Sequence, residues 1–293
     1  MNKFFWPDSA AAVSFVSVNF DAEAHDLREA APQNLFGRYS YGRYGVRAGL
    51  DRLLGLFDVH GISATFFVAA SDARRHPELV RQLVSEGHEV SARGLDLEDL
   101  TTLGDREGQV LRTSRDMLAD IIGSAPKGFR APTGTLSPFT LHHLVDLGYE
   151  YDSSFQDDDY PYRFQLHEGK SLVEIPGSFA LDDAPIYSAR HTHERLTRIW
   201  RDEMEAMLDA GILIPLTLHL RGDFGSTRGA RIAALDTILR EIKSRGQLRF
   251  MNGAELSAHA MSLGLAAEPD PYAAHEATLK STVYRGDLAV KPL

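Results

Sequence analysis

The sequence contains no cysteine. That absence excludes disulfides, thiolate zinc sites, iron–sulfur clusters and a cysteine nucleophile, and it agrees with a reducing compartment. A metal, if one is used, must be held by His, Asp or Glu. Long apolar runs are missing too: no stretch approaches the roughly 20 residues of a membrane span. The opening MNKFFWPD has no extended apolar segment followed by a small-residue cleavage site. A cytoplasmic location and no membrane partner are therefore expected. Basic charge is short as well, with 31 Lys and Arg against 41 Asp and Glu and a formal net charge of -10. Without a basic excess to release counterions from a phosphate backbone, no nucleic-acid partner is expected.

What the chain does have is 43% apolar residues over 293 positions, enough for a sizeable core. Strand-like runs stand at 13–20, 63–69, 88–92, 127–131, 149–152, 172–176, 213–219 and 248–251. Helical periods separate them at 46–60, 77–86, 106–122, 138–147, 192–210 and 229–245. In the first of these, Val46, Leu50, Leu53, Leu54 and Phe57 share one face and Gly61 follows as a stop. Alternating βα units predict an α/β fold with a (β/α) barrel, and no GxGxxG follows the first strand to suggest a dinucleotide-binding sheet. The barrel is expected over residues 1–263. Residues 264–293, with prolines and no apolar period, read as a C-terminal arm on the barrel or on a neighbouring subunit.

In such a barrel, chemistry collects where strands end. That rule selects Asn19, Asp21, Arg93, Arg130, Asp152 and His219. Glu23 and His25 follow Asp21 in a D-x-E-x-H array, and an extended backbone there would put all three on one side, making a divalent-metal site conceivable. His88, at a strand start, reads as structural.

Several fragments occur in order: VNFDAEAH (18–25), GRYSYGRYG (37–45), ATFFVA (64–69), GHEVSARG (87–94), GFRAP (128–132), YDSS (151–154), EIP (174–176) with LDD (181–183), and LTLH (216–219). Through them, residues 10–258 resemble the polysaccharide deacetylase superfamily, the NodB-homology fold. The segments YSYGRYGVRAGLDRLLGLFD, YDSSFQDDDYPY and RGARIAALDTIL resemble its cytoplasmic branch of peptidoglycan-deacetylase-like proteins, cyclic imidases and the allantoinase recruited from deacetylases.

The resemblance implies a distorted barrel and, in the family's deacetylases, a metal site with an Asp general base, an Asp ligand and two His ligands four residues apart. This chain departs from that pattern. Asn19 stands in the base position, Arg93 in that of the first His and Leu97 in that of the second; only Asp21 remains. Asn cannot accept a proton, Leu offers no ligand atom and Arg stays protonated. The expectation is an Arg93–Asp21 ion pair in place of the metal and no cofactor. Allantoinases of this branch likewise carry Asn in the base position.

The roles implied are Asp21 as water-activating base, Arg93 and Asn19 as oxyanion donors and His219 as the acid that protonates the leaving nitrogen. Arg130 is expected to brace Asp21, and Arg130, Arg221, Tyr41 and Glu23 are candidate substrate contacts. The expected activity is hydrolysis of a cyclic amide or imide C–N bond. Two alternatives stand beside it: a metal-dependent N-deacetylase built on Asp21, Glu23 and His25, and a non-catalytic binding protein. The partner expected is a small ring substrate, and the resemblance implies a homo-oligomer, a tetramer.

Overall fold

The computed structural model describes residues 4–29, 37 and 39–273. Its centre is β1 (Ala12–Phe20), nine buried residues rich in Val and Phe. A strand buried on both faces needs parallel neighbours and covering helices. β1 has both, with β8 (Ile214–His219) on one side and β2 (Thr65–Val68) on the other. From β2 the parallel sheet continues through β3 (Glu89–Ala92), β4 (Gly128–Phe129), β5 (Tyr151–Asp152) and β7 (Ser171–Glu174). β9 (Leu248–Phe250) pairs with the start of β1.

All eight strands read from the sequence are present. Two more were not read. β6 (Tyr162–Gln165) runs antiparallel to β7, and β10 (Glu268–Pro269) pairs with β6. The latter lies in the expected C-terminal arm, and residues 274–293 of that arm are outside the described residues. The curved sheet is not closed by strand pairing: β7 and β8 are not neighbours, and a single parallel bridge, Asp182 to Thr217, spans the gap.

The two-residue period of the strands sorts side chains into two cores. On β1, Val16, Val18 and Phe20 face the helices, among them α3 (Leu50–His60) and α10 (Gly229–Ser244), through Leu50, Leu53, Phe57, Leu235, Ile238 and Ile242. Val13 and Phe15 face inward, where they meet Phe67, Tyr151, Val173 and Ile175. The inner space is tight: a Cβ on Gly128 would fall 1.9 Å from the Tyr151 ring. Continuing the inward parity along each strand gives Asn19 after Phe15 and Ser17, His219 after Thr217, and Arg93 after Ser91. The site residues thus cap the inner core at the C-terminal rim.

Between β1 and β2 the chain forms α1 (Glu23–Glu29), then α2 (Tyr39–Tyr44), a π-helical turn at Gly45–Gly49, and α3 with Gly61 as its left-handed cap. The glycines of the GRYSYGRYG segment let this run lie against the rim. A Cβ on Gly45 would sit 2.7 Å from the Leu220 carbonyl oxygen. The remaining helices are α4 (Ala70–Arg75), α5 (Pro77–Ser85), α6 (Glu107–Ile122), α7 (Thr140–Asp146), α8 (Asp183–Ser188), α9 (His193–Ala210) and α11 (Gly253–Ser262). No helix among the described residues is long and apolar enough to cross a membrane.

Candidate active site

Register builds the centre of the site. Asn19 on β1 is paired with His219 on β8, and the Asn19 amide Nδ2 donates to His219 Nε2 at 2.9 Å. Arg93 and Arg130 leave β3 and β4 on adjacent ladders, their backbone N–H groups donating to Val68 and Ala92. The four side chains line a pocket of about 250 Å³ together with Pro132, Ser153, Gln156, Ser178 and Asp182.

Asp21 follows just past the end of β1, buried and outside the pocket lining. Its Oδ1 accepts from Arg93 Nε at 2.9 Å and its Oδ2 from Nη2 at 3.5 Å. Arg93 Nη2 also donates to the Pro132 carbonyl, while Nη1 donates to no protein atom among the described residues. Burial alone would raise the Asp21 pKa; the charges of Arg93, His219 and His25 outweigh it and hold the carboxyl below its ordinary range. The expected Arg93–Asp21 pair is therefore formed. Leu97, in the expected position of a second His, is buried with Ala24 and Ala69.

Asp72 of α4 holds the turn after Asp21. Its two oxygens accept from the backbone N–H groups of Ala22 and Ala24, both at 2.9 Å. Burial pushes the Asp72 pKa up to about 6.

His219 has its other nitrogen, Nδ1, 2.7 Å from Asp183 Oδ1, and its backbone N–H donates to Asp183 Oδ2. Asp182 lies 3.6 Å from the same ring nitrogen and caps α8 through the Ala184 N–H. Burial works to lower the His219 pKa, but the Asp183 hydrogen bond and charge, with Asp182 and Asp21 behind them, raise it overall. Phe224 packs edge-on against the ring at 5.4 Å. Asp182 and Asp183 are site residues beyond those selected from the sequence: α8 is too short for a periodic signal, and the LDD fragment offers only its Asp N-cap as a cue.

Four expectations are corrected. Arg130 does not brace Asp21: it donates to Ser17 Oγ at 2.9 Å, Asn19 Oδ1 at 3.3 Å and the carbonyl and hydroxyl oxygens of Ser153, and it stacks on Phe67. Its inward parity and β4 ladder position aim it at the residue capping β1. Burial, then the nearby Arg93 charge, lower its pKa to about 10, so it remains a cation.

Arg221 is fully buried and committed to Asp26 at 2.8 Å, Asp223 at 3.0 Å and the Ala22 carbonyl. It ties α1 to the rim and has no route to a substrate. Glu23 is turned away into a 2.7 Å contact with His76, because residues 23–29 form a helix rather than an extended strand. The D-x-E-x-H array therefore does not converge. Tyr41 is exposed on α2 and lies outside the pocket lining.

Among the described residues, the acidic and histidine side chains whose ligand atoms cluster are Asp182, Asp183 and His219. Their oxygens and Nδ1 are already engaged with one another and with backbone N–H groups, so these atoms are used as hydrogen-bond partners. At Asp21 the donor set is equally unsuited to a dication: one carboxylate, already neutralised by a guanidinium, with Arg93 and Leu97 where the family's two ligand histidines stand and the His219 ring, 4.0 Å away, already engaged with Asn19 and Asp183. The residues present do not fit the metal of the family's deacetylases.

Comparison with known proteins agrees with this architecture. The polysaccharide deacetylase family profile matches residues 41–151. The crystal structure of a Mycobacterium smegmatis protein assigned to the polysaccharide deacetylases is 32% identical, covers 92% of this chain and 96% of its own, and superposes with a TM-score of 0.84. PuuE allantoinase shares the fold at a TM-score of 0.79 and 24% identity, over 88% of this chain and 92% of its own. The peptidoglycan deacetylase of Helicobacter pylori is 29% identical over 192 residues, which is 57% of this chain and 66% of that enzyme. The match thus spans slightly less than two thirds of that relative. This chain belongs to the polysaccharide deacetylase family.

Proposed function

We propose that the protein is a hydrolase of amide-type C–N bonds, and more narrowly of cyclic amides or imides, that works without the deacetylase metal. The observation that carries this is the buried Arg93–Asp21 pair at the rim, with Arg93 lining the pocket and its Nη1 donating to no protein atom among the described residues. A guanidinium there can polarise a carbonyl oxygen and stabilise the oxyanion formed when water adds. Donors of that kind are worth on the order of 2.7–4 kcal/mol each in water-excluded sites. That is a weaker pull than a dication gives, so the reading favours substrates with a good leaving nitrogen. An imide nitrogen, shared between two carbonyls, is such a group; an N-acetyl sugar nitrogen is not. A pocket of about 250 Å³ suits a single small ring.

The test is a panel of rings, succinimide, hydantoin, dihydrouracil and allantoin, with opening followed by absorbance. At least one ring is expected to open far faster than in buffer, and the rate should collapse in His219→Ala. If no ring is opened, the cyclic-amide reading fails, and if no acetate is released from N-acetylglucosamine oligomers either, the Arg93–Asp21 pair is a plug in a binding protein. Release of acetate from N-acetylglucosamine oligomers without ring opening would instead support a glycan deacetylase. The pocket shares Gln156, Gly177 and Ser178 with the adjoining groove on one side and Gly134, Ser154 and Phe155 with that on the other, which gives a longer ligand somewhere to lie.

A further inference from the structure

We propose that His219 enters the reaction as its general base, and that Asn19 is a positioning residue that sets the ring tautomer, holding Nε2 without a proton until an entering water displaces the Asn19 N–H from its lone pair; the inference rests on the C–N hydrolase reading above. It reverses the order of proton transfers expected from the resemblance, in which Asp21 takes the proton from water and His219 only gives one.

The argument is one of donors and acceptors. Arg130 has no acceptor atom and stays charged, so the side of the Asn19 amide that faces it must be the oxygen, as the 3.3 Å contact to Oδ1 shows. The amide Nδ2 is then turned to His219 Nε2 at 2.9 Å. A primary amide nitrogen only donates, so Nε2 must accept and carries no proton. The ring proton therefore sits on Nδ1, which donates to Asp183 Oδ1 at 2.7 Å. An Asp in position 19 would accept from Nε2 instead and favour the imidazolium. A change from carboxylate to amide at one residue thus inverts the state of its neighbour.

The charged groups around the ring make the bare Nε2 a strong base without filling it. Asp183 and Asp182 lie at Nδ1 from the start of α8, and Asp21 Oδ2 lies 4.0 Å from Nε2 at the end of β1. His25 acts on Asp21 from α1, and Arg93 from β3 and Arg130 from β4 supply the opposing positive charge. Asp21 itself is a poor base, since both its oxygens point to Arg93.

The step balances with one histidine. Once water has replaced the Asn19 N–H at Nε2, Nε2 takes a proton from it as the hydroxide oxygen bonds to the carbonyl carbon; Asp183 stabilises the imidazolium. When the tetrahedral adduct collapses and the C–N bond breaks, Nε2–H returns that proton to the nitrogen, and the new carboxylic acid loses its own to solvent.

Ring-nitrogen NMR of uniformly 15N-labelled full-length protein tests this apart from activity, with His219→Gln identifying the His219 signals by their loss. At pH 8, Nδ1 is expected to appear protonated and Nε2 bare; in Asn19→Asp, Nε2 should be protonated at the same pH. On a ring the enzyme opens, kcat/KM should rise with pH along a limb set by His219. In Asn19→Asp the limb should move to higher pH and kcat/KM at pH 7 should fall at least about tenfold, with KM little changed. Asn19→Ala serves as a second variant if the aspartate misfolds, and should weaken the tautomer preference without protonating Nε2. A wild-type Nε2 that bears a proton at pH 8, or a kcat/KM that only declines through the His219 titration, overturns the proposal. Failure to open any ring sinks the cyclic-amide reading while the NMR result still stands or falls by itself.

Discussion

Replacing Arg93 by Met removes the only described donors to the Asp21 carboxylate while keeping an unbranched apolar stem. Three contacts go: Nε to Oδ1 at 2.9 Å, Nη2 to Oδ2 at 3.5 Å and Nη2 to the Pro132 carbonyl at 3.2 Å. The His219 ring remains beside it, with Nε2 4.0 Å from Oδ2, but carries no proton on that nitrogen in the tautomer that Asn19 sets. Removing one partner of a buried pair strands the other, which costs about 3–5 kcal/mol. The lower end is expected here, because Asp21 lies beside a pocket that solvent can enter. The pH dependence supplies a second check. In the wild type the Asp21 pKa is held below its unfolded value, so its stabilisation is present above that value and is lost as pH falls through the folded pKa. In Arg93→Met the largest opposing charge is gone and burial raises the folded pKa, so the carboxylate penalises the fold as pH rises through it. The wild-type change falls below the ordinary Asp pKa of 3.8, so between pH 5 and 8 the variant's raised pKa alone makes the stability gap widest near pH 8 and narrower toward pH 5. Urea unfolding at pH 8, 6.5 and 5 measures it. The double variant Arg93→Met, Asp21→Asn should recover most of the loss at every pH. A gap under about 1 kcal/mol, the scale of an exposed pair, or one that does not change with pH, would show that the two side chains are not a buried pair.

Other outcomes follow from the same geometry. His219→Ala should lower the ring-opening kcat by on the order of 10²–10⁴-fold, the range of general acid–base catalysis, and a loss under tenfold would remove His219 from the chemistry. Dialysis against a chelator should leave that rate unchanged, with zinc addition restoring nothing; metal-dependent recovery would refute the assignment of Arg93 to the carbonyl. Asp152 and Glu174 face each other in register on β5 and β7, fully buried, and burial raises both pKa values, that of Asp152 to about 6. Groups raised in this way destabilise the fold as pH climbs through the folded value. Asp152→Asn should therefore raise Tm at pH 8, by about 2–4 °C for each kcal/mol relieved, and give no gain at pH 4.

The fold was legible because its signals are periodic. Each parallel strand is an apolar run near a helix-period segment, and the eight strands and the helices α3, α5, α6, α7, α9 and α10 fall where those patterns lie. β6 escaped because YRFQ is short and partly exposed, and β10 because Glu268–Pro269 is paired only through its place beside β6. Of the site, the residues at strand ends were legible, since parity alone carries Asn19, Arg93, Arg130 and His219 inward. Partners were not. Nothing in FRAP says that Arg130 faces Asn19 rather than Asp21, a matter of which ladder position each occupies. Arg221 and Glu23 were misplaced for one reason: α1 is a single short helix whose turn withdraws both from the pocket, and seven residues hold too few periods to reveal it. Asp183 became visible only when α8 was seen to begin beneath His219.

The seam between β7 and β8 bears on how this scaffold diversifies. A closed barrel would wall the pocket with hydrogen-bonded strand on every side, and each change of shape would disturb the ladder. Here the stretch from 175 to 182 bridges the opening through one pair, Asp182 to Thr217, and contributes Gly177, Ser178 and Asp182 to the pocket wall. Insertions and exchanges in that stretch can recut the pocket mouth while the inner column of Val13, Phe15, Phe67 and Tyr151 stays intact. Ligand preference can therefore drift between relatives at little expense to folding.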